Sequence, residues 1–250
     1  MNEFIVIVES SADARTATKL GDRLLVEKVD WLEEEQLQDF FRWSGLEENT
    51  EHSFWKDIKR IIENSGVKIP KTRRAKAGVT KSDGAAARKI LNFVSYLQKN
   101  RQRQITAVIF IRDVDNQPER KESIEKVRSE DSDRQFKIVI GMANRNREAW
   151  VLNGFIALNK SEEKILEEIK TQLTFDPCEE SHRLRSNSKE ESDRIRNPKV
   201  VLEKLTGGEF ERERKCWEET DLEILRNRGK NTGLTDYMNE VENQLSSIIL

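Results

Sequence analysis

Three short apolar runs constrain this chain more than any other feature: residues 4–8 (FIVIV), 105–111 (ITAVIFI) and 136–142 (FKIVIGM). Each is β-branched and almost uninterrupted, the pattern of a strand buried on both faces, as in parallel sheets. Helical signals separate them. Ser10 or Ser11 can cap a helix running towards Leu20, and Ala87, Ile90, Leu91, Val94 and Leu97 share one helical face. A charged helix is expected over 118–130, and another follows residues 144–150 into Val151, Leu152 and Phe155. Strand alternating with helix in this order is the signature of a doubly wound, mainly parallel sheet. The expected fold is therefore α/β and Rossmann-like, with helices flanking the sheet.

Weaker features fill in the organisation. Residues 24–29 read as a second, marginal strand, and 31–62 as mostly helical with its tryptophans in the core. Residues 161–173 read as an amphipathic helix starting at a Ser161 cap, and Pro198 suits the first position of a further helix. Residues 178–196 hold almost no apolar side chains and read as a loop or lid. The division expected is an α/β core over 1–160, with a helical and basic insert at about 31–100, and a helical region over 161–250 that packs on or continues the core.

Charged residues make up 36% of the 250, above the roughly 25% of ordinary soluble domains, so a heavily charged surface is expected. The net charge of −2 conceals a basic segment in which Lys68, Lys71, Arg73, Arg74, Lys76, Lys81, Arg88 and Lys89 are interrupted by one acid, Asp83. Such a segment can hold a phosphate backbone locally, although a solvated loop and helix face is the better explanation of an isolated charge run. Cys178 and Cys216 lack metal or redox spacing, so neither a disulfide framework nor structural zinc is expected. No apolar stretch approaches the roughly 18 residues of a membrane span, and a cytoplasmic protein is expected.

The chemistry lies where the strands end. Glu9 follows the first run, Asp113 and Asp115 follow the second, and Glu148 comes shortly after the third. Ligands in open α/β sheets bind outside the carboxyl ends of the strands, which would bring these acids to one crevice. Carboxylates so gathered repel unless protons or cations intervene, and an oxygen-only set suits Mg²⁺, with Mn²⁺ as a substitute. No histidine or cysteine is expected nearby, which disfavours zinc. Each acid alone has a plainer explanation: a turn for the Asp-x-Asp, a helix N-terminus for Glu148 and for Asp13.

Together, Glu9 after the first strand and Asp113-Val114-Asp115 after a later one resemble the Toprim family, shared by topoisomerases, bacterial primases and the OLD (overcoming lysogenisation defect) nucleases. The spacing from Glu9 to Asp13 further resembles the OLD-type ExxxD/E. Glu148-Ala149-Trp150 with Asn197-Pro198-Lys199 resembles a compact Toprim-like family of unknown function encoded beside ATPases in phage-defence loci. Ser10 stands where topoisomerases and primases carry glycine, the 31–83 insert separates the strands, and neither a topoisomerase tyrosine domain nor a primase zinc module is seen.

The resemblance implies a Mg²⁺-dependent nuclease acting on DNA or on RNA such as tRNA. Glu9, Asp13, Asp113 and Asp115 would be metal ligands, and Glu9, Asp113, Asp115 and Glu148 the catalytic set. Lys71, Arg73, Arg74, Lys76, Arg147 and Lys199 would contact nucleic acid, with pairing to the acids an equal explanation for Arg147. It also implies an ATPase partner of the ABC/SMC or AAA type and a role in antiviral defence, with a homo-oligomer open. Two alternatives stand beside it: a non-catalytic subunit or toxin that docks on the ATPase, and a hydrolase of nucleotides or small phosphate esters.

Overall fold

The computed structural model describes residues 1–67, 82–115, 117–130, 133–185 and 190–250. Its centre is a wholly parallel sheet of five strands: β1 (Asn2–Val8), β2 (Phe41–Ser44), β3 (Ser53–Phe54), β4 (Ile105–Asp113) and β5 (Lys137–Ala143). β1 pairs with β4, and β4 with the edge strand β5. On its other side β1 is covered twice, by β2 along residues 2–5 and by β3 at residues 7 and 8. The chain is thus an α/β protein with a Rossmann-like parallel sheet between helices.

The helices are α1 (Ser11–Lys28), α2 (Leu37–Phe40), α3 (Ile58–Asn64), α4 (Ser82–Arg101), α5 (Glu119–Ser129), α6 (Arg147–Asn153), α7 (Lys160–Leu173), α8 (Glu191–Arg194), α9 (Pro198–Thr206), α10 (Phe210–Glu218), α11 (Leu222–Arg228) and α12 (Leu234–Ile249). Strand alternation sorts the core into two. Phe4, Val6 and Val8 of β1 pack with α1, α6 and α12, whereas Ile5 and Ile7 face α3, α4 and α5. The C-terminal helices share the first of these cores. Tyr237 stacks on Trp150 and donates its hydroxyl to the Ala17 carbonyl at 2.7 Å, tying α12 to α6 and α1. Gly141 gives that packing room: a Cβ there would lie 2.6 Å from Ile111 Cδ1 and 2.8 Å from the Tyr237 ring.

Several local expectations change. Residues 24–29 are not a strand, because Leu24 and Leu25 complete the buried stripe that Ala14, Ala17 and Leu20 begin on α1. The 31–62 region is less helical than expected, since Phe41–Ser44 and Ser53–Phe54 are strands. Trp31 is exposed, whereas Trp43, Trp150 and Trp217 pack in or against the core. Asn159 rather than Ser161 caps α7, accepting from the Glu162 amide at 3.0 Å. The 178–196 segment is anchored over its first part: Ser181 and Leu184 are fully buried, and the Ser181 hydroxyl donates to the Ala149 carbonyl. A lid spanning that part is ruled out by this packing.

Candidate active site

The order β2-β1-β4-β5 reverses between β1 and β4: from β1 the chain crosses to β2 on one side, and from β4 to β5 on the other. Such a reversal opens a crevice at the carboxyl ends of the two strands, the place where open α/β sheets bind ligands. Glu9 leaves β1 there and Asp113 ends β4 there. The last paired residues, Ile7 opposite Phe110, set the register, and two positions further Glu9 meets Arg112 at 2.9 Å.

The neighbouring backbone positions the other acids. Ser10 caps α1 in a capping box, its amide donating to the Asp13 carboxylate at 2.7 Å while Ser10 Oγ accepts from the Asp13 amide. That box explains Asp13 without a ligand, and it also holds the carboxylate in the crevice. Asp115 sits at φ 48°, a left-handed conformation that aspartate tolerates better than most residues, and its amide donates to the Arg145 carbonyl at 3.2 Å. Glu148 lies in the first turn of α6, and the Arg147 amide of the same turn donates to Asp113 Oδ1 at 3.0 Å.

Electrostatics shows that these acids share one field. Asp113 is pushed up to about 8, first by burial and then by the charges of Asp13, Glu9, Glu148 and Asp115. It has no ion-pair partner among the described residues. Glu9 is also raised, by burial ahead of Asp115 and Asp13, with Arg112 and Arg120 opposing. One half-buried carboxyl thus carries the repulsion of four others, which favours its protonated form near neutral pH.

Three participants were not foreseen: Asp83, Arg112 and Arg120. Asp83, in the first turn of α4, is buried between Arg112 at 2.9 Å and Arg120 at 3.2 Å. Arg120 also reaches Asp115 at 3.0 Å and the Asp113 carbonyl at 2.7 Å. Arg112, adjoining Asp113, was in plain view in the sequence. Asp83 had one signal, as the lone acid of the basic segment. Nothing local in the sequence marked Arg120. His52 Nε2 lies 3.3 Å from Ser11 Oγ, but the charges that act on it are Glu51 and Arg15 rather than the acids of the crevice.

The expected nucleic-acid contacts fare unevenly. Lys199 is exposed and 3.9 Å from Glu148, so α9 brings a cation to the crevice rim. Arg147 is buried against Asp13, Glu213, Thr16 and the Trp217 ring, so its charge is spent internally. Lys71, Arg73, Arg74 and Lys76 lie outside the described residues.

Among the described residues, no three acidic, histidine or cysteine side chains stand close enough to form a ready cation cage. The donors still fit a hard cation in kind: they are carboxylate oxygens, and Asp113, alone among the five acids, has no ion-pair partner among the described residues. Arg112 and Arg120 hold Glu9 and Asp115 in ion pairs, so a cation would have to draw those carboxylates from the arginines. No helix among the described residues is long and apolar enough to cross a membrane. No protein-family profile, curated protein or solved structure matches this chain.

Proposed function

We propose that this crevice is the active site of a Toprim-type phosphodiesterase that hydrolyses DNA or RNA with Mg²⁺ or Mn²⁺. The observation that carries the reading is the convergence of Glu9, Asp13, Asp115 and Glu148 on a half-buried Asp113 of raised pKa at the switch point of a parallel sheet. Asp113, Glu9 and Asp115 would hold the cation, with Asp13 and Glu148 completing its surroundings. When bound, a divalent cation neutralises phosphate oxygens and lowers the pKa of the attacking water.

This chain's own groups supply the rest. Glu9, whose pKa burial raises above its ordinary value, is suited to accept or return a proton during hydrolysis. Arg112 and Arg120, released from Glu9 and Asp115, are placed to face the negative charge that develops on a phosphoryl group. Lys199 stands at the rim, and in sequence the basic segment leads directly into α4, whose Asp83 is part of the site. An ATPase partner and a role in antiviral defence are what the family resemblance adds to this reading.

The test is cleavage of plasmid DNA, single-stranded DNA and total tRNA with Mg²⁺ or Mn²⁺, wild type beside Glu9→Ala and Asp113→Ala. Cation-dependent cleavage lost in both variants is expected, with rates at least about a hundredfold lower, the scale of removing one preorganised charged group. The closed ion-pair net of Arg112 and Arg120 favours a second reading, a non-catalytic subunit that docks on another protein. That subunit would cleave nothing and show no cation-dependent rise in Tm.

The raised pKa of Asp113 sets a pH dependence for cation binding. Below about pH 8 a cation must displace the Asp113 proton, so affinity should climb up to about tenfold per pH unit and level off above 8. Mn²⁺ titration at pH 6, 7, 8 and 9 measures this, and a flat profile would remove Asp113 from the ligand set.

A further inference from the structure

A cleft of about 450 Å³ lies on the β5 side of the crevice, lined by residues of α5, the exit of β5 and the start of α12. It begins at Val114, the residue between Asp113 and Asp115. Bonded residues have Cα atoms about 3.8 Å apart, so its wall adjoins both acids. On α5 the neighbouring residues Arg120 and Lys121 serve the two places in turn, Arg120 reaching Asp115 and Lys121 lining the cleft.

The lining is chemically divided. Val114, Pro118 and Met142 form an apolar part. Lys121, Arg185 and Lys230 supply cations. Lys121 is partly neutralised by Asp236 at 2.7 Å, while Arg185 and Lys230 have no carboxylate partner among the described residues. Asn144, also in the lining, donates its amide to the Asn231 carbonyl at 2.9 Å, and its Oδ1 accepts no hydrogen bond among the described residues, so it can serve as an acceptor. Gly233 closes the wall at φ +79°, and a Cβ there would come within 2.1 Å of the Met142 carbonyl oxygen. The close approach of α12 to β5 that forms this corner therefore requires glycine.

An apolar floor, one amide oxygen and two unneutralised cations, in a volume within the usual range for small ligands, match a nucleoside phosphate. The flat base can lie on the floor, and the phosphate can meet Lys230 and Arg185. We propose that this cleft is a subsite for the nucleotide adjoining the scissile phosphate, so that a strand enters here and presents its next phosphate to Asp113. The proposal rests on the phosphodiesterase reading and assigns that enzyme its strand-positioning residues: Lys230, Arg185 and Asn144.

The test uses the full chain in two assays. First, nucleoside 5′-monophosphates and inorganic phosphate are titrated without divalent cation, followed by heteronuclear NMR or calorimetry. Wild type and Asp113→Asn are expected to bind a monophosphate at least tenfold tighter than phosphate, and Lys230→Ala with Arg185→Ala to weaken it at least tenfold. Equal affinity for phosphate and nucleotide, or binding indifferent to those two substitutions, overturns the subsite. Second, in cleavage the same pair should raise KM at least fivefold with kcat within twofold, and a pair that leaves KM unchanged overturns it too. Nucleotide binding without any cleavage would sink the phosphodiesterase reading and leave the cleft as a nucleotide site, so the two failures are distinguishable.

Discussion

Asp113→Asn should make the protein more stable while removing its response to divalent cations. The carboxamide oxygen of the variant side chain would keep the hydrogen bond from the Arg147 amide, so the backbone has no reason to move. What disappears is a half-buried charge repelled by those of Asp13, Glu9, Glu148 and Asp115. The sign follows from linkage. The Asp113 pKa rises from 3.8 to about 8 on folding, so the folded state binds more protons than the unfolded state between those values. Its contribution to stability therefore falls as pH rises from about 4 to about 8, and the full cost stands above 8. After allowance for partial solvent screening, a gain of about 2 kcal/mol above pH 8 is expected, or roughly 4–8 °C in Tm for a chain of this size. Thermal unfolding of both proteins at pH 5, 7 and 8.5 should show the gap widening with pH, and Mn²⁺ should narrow it by stabilising wild type alone. A variant less stable than wild type at pH 8.5 would mean that Asp113 is a structural residue with no repulsion to relieve.

The opposite end of β1 should respond in the other direction. Glu3 and Arg103 are both buried there, their side chains 5% and 7% exposed. Arg103 pairs with both Glu3 oxygens and donates to the Leu46 carbonyl at 2.7 Å and the Gly45 carbonyl at 2.9 Å. It joins the entry to β4, the start of β1 and the loop after β2. Burial pushes the Glu3 pKa up, but the hydrogen bonds and charge of Arg103, with help from Arg42, hold it below its ordinary value. That contribution is present above the ordinary glutamate pKa of 4.5 and is lost as pH falls through the lower folded value. Arg103→Ala leaves two carbonyls unpaired and a buried carboxylate with only the half-exposed Arg42 at 3.3 Å, and should cost about 3 kcal/mol in urea unfolding. Arg103→Lys cannot reproduce the fork and should recover little. Glu3→Gln combined with Arg103→Met should lose much less than Arg103→Ala, because no charge is then stranded. A loss under about 1 kcal/mol for Arg103→Ala, the range of solvent-exposed pairs, would show that water reaches the pair.

The two largest expected effects sit at the two ends of the central strands and have one cause. At the amino end of β1 a buried carboxylate has its cation, and the fold gains; at the carboxyl end Asp113 has none, and the fold bears the cost. Strain of this kind is expected where chemistry or ligand binding is prepared.

What could be read from the sequence was whatever depends on near neighbours. Residues 4–8, 105–111 and 136–142 are strands because continuous β-branched apolar runs can be buried only with both faces covered. The acids following them are confined to the strands' carboxyl ends by chain continuity. The helical face from Ala87 to Leu97 and the Asn197-Pro198 start of α9 are equally local. β2 and β3 escaped because Phe41–Ser44 and Ser53–Phe54 are too short to show a period, and their strand character comes from the edge of β1. Only the tertiary structure decided the strand order, and with it the crevice between β1 and β4. It alone set Asp83 between Arg112 and Arg120, turned Arg147 inward, brought His52 to Ser11, and folded α12 against β5 to form the cleft beside Val114. Each of these pairings joins residues remote in sequence, and their distance is fixed by register and packing across the sheet rather than by anything their neighbours along the chain prefer.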